Sequence, residues 1–236
     1  MNGGRARLLI VGAGGLGRET AELVTAINQQ RPSWDLLGFL DDDPELRGSA
    51  VAGVPVVGSV DAAAEHADAQ VVVATASPAD YFSRKRLVRR LGVPADRFAT
   101  LVHPTAVLPP SCTLGPGTTV LAGVVATTSV ELGAHVVLMP GVILTHDDVV
   151  GDFATLASGV RLGGGVRVGE GAYLGAGSLV RERRSVGAWS LLGMGAVVTA
   201  DVPPAEVWVG SPARRLRSVA VPPDVSAGGP VGSERS

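Results

Sequence analysis

From residue 106 to residue 201 the chain can be written as sixteen consecutive hexads without an insertion, and every third position is Leu, Val or Ala. Typical blocks are VVLMPG, VILTHD, ATLASG and VRLGGG. A helix repeats every 3.6 residues and a half-buried strand every two, so neither keeps this register for long. Fixed short periods mark parallel β-helices. Three hexads make one triangular coil, in which the third positions stack as an inward apolar column. The pattern predicts a left-handed parallel β-helix. A sandwich of irregular Gly-rich strands is the competing reading, and it has no reason to hold register through sixteen blocks. Composition agrees: apolar residues make up 46% but aromatics only 4%, with 32 glycines. Such a core is filled by Val, Leu and Ala and turned by Gly, where an ordinary globular core leans on aromatic area.

Residues 6–95 follow a different rule. Leu8–Val11 is a buried-strand run followed by a Gly-rich turn, and Arg18–Gln29 has the apolar spacing of an amphipathic helix. Leu36–Leu40 and Val71–Ala74 read as strands, and Asp80–Leu91 as a basic amphipathic helix. This β-α-β pattern implies a small parallel sheet with helices on its faces. The expected organisation is a Rossmann-like α/β domain over residues 1–101, the β-helix over 102–217, and a tail over 218–236. The tail is rich in Pro, Gly and Ser without pattern and is expected to be disordered.

The net charge of −2 supplies no electrostatic pull towards nucleic acid or an anionic membrane. The apolar stretch 136–144 is too short to span a bilayer, and the N-terminus lacks the features of a signal peptide. Cys112 is the one cysteine, which excludes an intrachain disulfide and fits a reducing compartment. A soluble, cytoplasmic protein is the expectation.

Two places carry candidate chemistry. His146 occupies the fifth position of its hexad, an outward corner, and Asp147, Asp148 and Asp152 follow closely. An outward imidazole beside carboxylates can serve as a general base; on spacing alone, a solvated surface histidine remains open. One coil on, the stacked residue is Gly164, which leaves room beside His146 for a ligand. Near the N-terminus, Gly12-Ala13-Gly14-Gly15-Leu16-Gly17 satisfies G-x-G-x-x-G between a strand and a helix. Backbone N–H groups there can hold a pyrophosphate, and Asp41 and Asp42 end the second strand where an acid could bond a ribose. Taken alone this reads as a dinucleotide site.

The motifs VGAGGLGRE, GFLDDDP, LVHPTA, THDDVVGDF and VGSPARRL, in that order, span nearly the whole chain to residue 217. By them the chain resembles the sugar O- and N-acyltransferases of the sialic acid O-acetyltransferase and bacillosamine acetyltransferase type. The resemblance implies an acyl-CoA-dependent transferase, with acetyl-CoA or another acyl-CoA as co-substrate and no metal. The acceptor is a sugar, nucleotide-sugar or sugar-like metabolite with an amino or hydroxyl group. It also implies roles: His146 as catalytic base and Asp147, usually Glu in relatives, as its acidic neighbour. Gly164, Ala176 and Met194 match positions whose main chain binds CoA. Thr155 falls where relatives often place a second, cofactor-contacting histidine. Gly14, Gly15, Leu16, Asp41, Asp42 and Ala76 match the acceptor site, with Leu16 where relatives commonly carry His. Family sites form where neighbouring prisms meet, so a homotrimer is expected.

Two other chemistries compete. A zinc enzyme of the carbonic anhydrase type needs three convergent histidines. Here His135 and His146 occupy different hexad positions and His103 precedes the coils. An NAD-binding protein using GAGGLG needs a substrate domain that nothing after residue 100 resembles.

Overall fold

The computed structural model describes residues 4–226. In the first part, β1 (Ala6–Val11), β2 (Trp34–Leu40), β3 (Ala50–Val51), β4 (Val54–Gly58) and β5 (Gln70–Val73) form one sheet in the order β3-β4-β2-β1-β5. All pairings are parallel except the β3–β4 hairpin. Successive strand residues point to opposite faces, and both faces of β1 are covered. Leu8 and Ile10 pack under α1 (Gly15–Gln30), whereas Leu9 and Val11 lie on the side of α2 (Ser83–Leu91). α1 begins three residues before its apolar periodicity predicts, because the Gly-rich turn winds directly into the first helical turn.

From β6 (Leu101–Val102) onward the chain winds into a prism. Each hexad from residue 112 onward contributes a two-residue strand at its second and third positions, and these strands stack into three parallel sheets. Val137 pairs with Thr155, and Leu138 with Leu156, one coil on. Each strand donates from its backbone to the next coil, as Val137 does to Ala154 at 3.0 Å. The fold is the expected α/β domain followed by a left-handed parallel β-helix.

The third position is indeed the inward column: Leu138, Leu144, Leu156, Leu174 and Leu192 are wholly buried. A second column was missed by the hexad reading. First-position residues such as Val136, Val142, Ala154 and Val160 are equally inaccessible. Residues i and i+2 of an extended chain share a face, so positions one and three must both point inward. Many sixth positions turn through the left-handed region, at glycines such as Gly141 and Gly159 and also at Ser129, His135, Asp147 and Phe153.

The two parts are fused along a seam. Six of the nine aromatic residues gather there, with Phe82 stacked on Trp189 at 5.2 Å and His135 on Phe153 at 5.0 Å. The expectation of disorder from Ser218 is corrected for the residues that are described. Val219 donates to the Ala205 carbonyl, and Val225 is buried against the seam with its own carbonyl bonded to Lys85. Three valines spaced through a Pro-rich stretch supply enough apolar contact to hold it there. Residues 227–236 lie outside the described residues. Among the described residues, no helix is long and apolar enough to cross a membrane.

Because the core is two stacked columns of branched side chains, a cavity in one coil is not easily closed by its neighbours. Leu156→Ala is expected to cost about 2–5 kcal/mol, read as a lower urea midpoint with unchanged cooperativity.

Candidate active site

His146 sits in the turn Thr145–Asp148, between strand residues 143–144 and 149–150. The turn is held by a residue that sequence reasoning mentioned but did not assign. Asp148 is fully buried, and its carboxylate accepts the Thr145 N–H and, across to the next coil, the Val166 N–H, both at 2.8 Å. Burial nonetheless raises its carboxyl to about 6, against the pull of those two bonds. Asp147 follows His146 with φ +64°, a left-handed conformation that Asp tolerates better than most residues. There its Oδ2 lies 2.9 Å from His146 Nδ1.

This contact assigns the tautomer. A carboxylate only accepts, so Nδ1 carries the proton and Nε2 of the neutral ring holds its lone pair. Nε2 faces the neighbouring coil at Gly164, where an added Cβ would stand 2.2 Å from it. Both acid and base are mostly exposed. The pair is therefore exposed to solvent, and the imidazole itself fills the room that Gly164 leaves.

Ala176 and Met194 lie on another edge. They border a cleft of about 370 Å³ with Pro78 of the first domain at its rim. The sheet through residues 143–144, 161–162 and 179–180 separates this edge from the His146 corner. One chain does not bring the two together. Thr155 belongs to neither. It is buried, and its Oγ1 accepts from Arg84 Nη2 at 2.7 Å, so its expected place in a cofactor groove is corrected. The second position of its hexad faces the seam, and packing there has consumed the hydroxyl.

The predicted acceptor residues converge well. Gly14, Gly15, Leu16, Asp41 and Ala76 line a cavity of about 560 Å³ at the carboxyl end of the sheet. Asp41 also ties down the Gly-rich turn by accepting the Ala13 N–H at 2.7 Å. Asp42 is the exception. Its carboxylate faces the other side, paired to Arg90 and bonded to the Val60 N–H, and the Arg90 guanidinium holds its carboxyl below the usual range. Consecutive residues of a strand end point to opposite faces, so only one of the two aspartates can serve the cavity. Sequence reasoning missed Glu19, Thr75, Ser77, Asp80 and Met139, which complete the wall. They come from three separate segments and share no local motif.

Arg84 joins the cavity to the β-helix. It is 1% exposed; Nη1 donates to the Thr75 carbonyl at 2.7 Å, and Nη2 to the Phe153 and Ala154 carbonyls as well as to Thr155. Among the described residues none of these partners is a carboxylate. Burial lowers the guanidinium to about 9, which still leaves it charged at neutral pH. Among the described residues, no three His, Cys, Asp or Glu are arranged to hold a metal ion.

Comparison with known proteins gives a consistent picture. The family model for the PglD N-terminal domain matches residues 7–91. No curated protein matches the sequence. Among solved structures, the acetyltransferase domain of PglB from Neisseria gonorrhoeae, in complex with acetyl coenzyme A, is 29% identical with a TM-score of 0.80. That match covers 90% of this chain and all of the other. PerB from Caulobacter crescentus, in complex with CoA and GDP-perosamine, is 31% identical with a TM-score of 0.78, over 89% of this chain and 97% of that one. WeeI from Acinetobacter baumannii is 28% identical with a TM-score of 0.77, over 89% of this chain and all of that one.

The seam makes stability sensitive to acid. Burial, with the nearby Arg84 charge, pushes the His135 imidazole down to about 4 from its ordinary 6.5. Between those values the unfolded chain binds a proton that the folded chain refuses, so His135 lowers stability as pH falls. Asp148, raised to about 6, acts in the opposite sense between about pH 6 and 4. The His135 contribution is isolated by difference. From pH 7 to pH 5, His135→Leu is expected to lose about 2 kcal/mol less stability than the parent, measured by urea unfolding at both values.

Proposed function

As the chain belongs to the hexapeptide-repeat sugar acyltransferases, we propose that it transfers an acetyl group from acetyl-CoA to a sugar or nucleotide-sugar acceptor, with His146 as general base. The observation that carries this reading is the His146–Asp147 pair, exposed on its corner with the imidazole seated over Gly164, where a side chain would displace it. The acceptor amine or hydroxyl gives its proton to Nε2 as its nitrogen or oxygen bonds to the thioester carbonyl carbon. The carbon–sulfur bond then breaks, and the imidazolium returns the proton to the departing sulfur. Asp147 stabilises the imidazolium between the two transfers, and Asp148 keeps the turn in place. General base catalysis of this kind is worth about 10²–10⁴ in rate.

The two substrates have separate places. The cleft beside Ala176 and Met194, walled in part by the small residues Ala157, Ser158, Gly175 and Gly193, takes the pantetheine arm. Coenzyme A supplies the activated acyl group. The cavity around Gly14, Gly15, Leu16, Asp41 and Ala76 takes the acceptor. The Caulobacter relative was solved with GDP-perosamine, which favours an amino group on a nucleotide-linked sugar. Leu16 removes the imidazole that relatives offer there, so the sugar contacts differ. A homotrimer is the assembly that this reading calls for. Cleft and base stand on different edges of one prism, and a neighbouring prism can bring its His146 edge against the cleft.

Two measurements test this. With acetyl-CoA and a panel of free and nucleotide-linked amino sugars, the protein is expected to release free thiol, and His146→Ala to reduce the rate about 10²–10⁴-fold. Unchanged turnover in that variant would remove His146 from the mechanism. Light scattering is expected to give a mass about three times that of one chain, and a monomeric mass at assay concentration overturns the shared site.

A further inference from the structure

Met139 lines both the acceptor cavity and the cleft beside Ala176 and Met194. It occupies the fourth position of its hexad, at the edge where the fourth positions of successive coils are Leu121, Met139, Ala157, Gly175 and Gly193. Side-chain volume along this edge therefore drops sharply immediately after Met139. Leu121 is buried under α1, whereas Ala157, Gly175 and Gly193 leave the wall of the cleft bare. Gly175 cannot be filled without moving backbone, since a Cβ there would lie 2.6 Å from the Leu192 carbonyl oxygen, and a Cβ on Gly193 would meet Val209 Cγ1 at 2.8 Å. Met139 itself is half-buried and packs on the cluster beneath α1, which supports its stem.

Resting on the acyltransferase reading above, we propose that Met139 is a specificity-determining residue: its side chain is the end-stop of the acyl cleft and fixes the length of the acyl group transferred. An acyl group entering along the bare glycine wall meets Met139 where the cleft adjoins the acceptor cavity. The unbranched thioether fills that junction and leaves space for a short chain. Shortening it opens the cleft towards the acceptor side. An apolar pocket discriminates by about tenfold or more per methylene, so two added methylenes make the effect readable.

The test compares kcat/KM for butyryl-CoA and acetyl-CoA, using the amino sugar that gives the fastest thiol release. Met139→Ala is expected to raise the butyryl-to-acetyl ratio at least tenfold, while Met139→Leu, similar in volume, holds it within about threefold. Should the alanine variant fail to fold, Met139→Val is expected to move the ratio in the same direction. Calorimetric affinities for the two thioesters, which need no acceptor, are expected to shift in parallel. An unchanged ratio in a folded variant that still transfers acetyl overturns the end-stop and leaves the acyltransferase reading intact. No acetyl transfer by the parent protein on any acceptor overturns that reading and the end-stop with it.

Discussion

The stacking register of the coils is the constraint on which the rest of the structure depends. A two-residue strand has too few hydrogen bonds to persist alone. It persists because its backbone is shared with the coils before and after it, and because two columns of branched side chains fill the prism. Displacing one coil by a single residue would turn its first- and third-position side chains out to solvent. The register also lines up residues far apart in sequence along each edge. His146 thus meets Gly164, and Met139 meets Ala157 and Gly175, without any long-range loop to place them.

The seam supplies what the prism lacks. A prism of small aliphatic residues presents flat faces with little to recognise, and most of the chain's aromatics are spent on docking one face to the α/β domain. Arg84 sits at the centre of that contact with its charge buried. Removing a guanidinium from water is costly unless its donors are satisfied. Carbonyls from both sides and the Thr155 hydroxyl take up the Nη1 and Nη2 donors, while Nε is buried without a partner among the described residues. The same bonds tie the cavity wall at Thr75 to the coil that follows the His146 turn, so the position of the cavity at the Gly-rich turn is coupled to the β-helix. Thr155 is thereby explained: where the family resemblance led to a cofactor ligand, packing uses the hydroxyl to hold an arginine.

The proposed assembly gives the division of the site between two edges a chemical consequence. On a single prism His146 is exposed to water on one edge, and the cleft beside Ala176 and Met194 lies on another. A neighbouring copy would complete the groove and exclude water, where electrostatic effects on the imidazolium are stronger.

The sequence by itself determined the β-helix, the α/β domain before it, the His146–Gly164 juxtaposition and most of the acceptor cavity. The first three follow from local periodicity, since a period of six or two fixes direction as well as spacing, whereas the cavity residues follow from the Gly-rich motif and the family resemblance. The inward first positions are contained in the same period, but polar residues such as Thr118, Asp148 and Ser178 interrupt them, so the column is less legible than the aliphatic third. Tertiary structure decided the remainder. Asp41 and Asp42 are adjacent and alike in sequence, yet strand alternation sends one into the cavity and the other to Arg90. Val219 and Val225 look like part of a featureless tail until a seam exists to bury them. Arg84 reads as one more charge on a basic helix, and Met139 as one more apolar residue in a hexad. Their roles arise where two domains meet, and no sequence period extends across that contact.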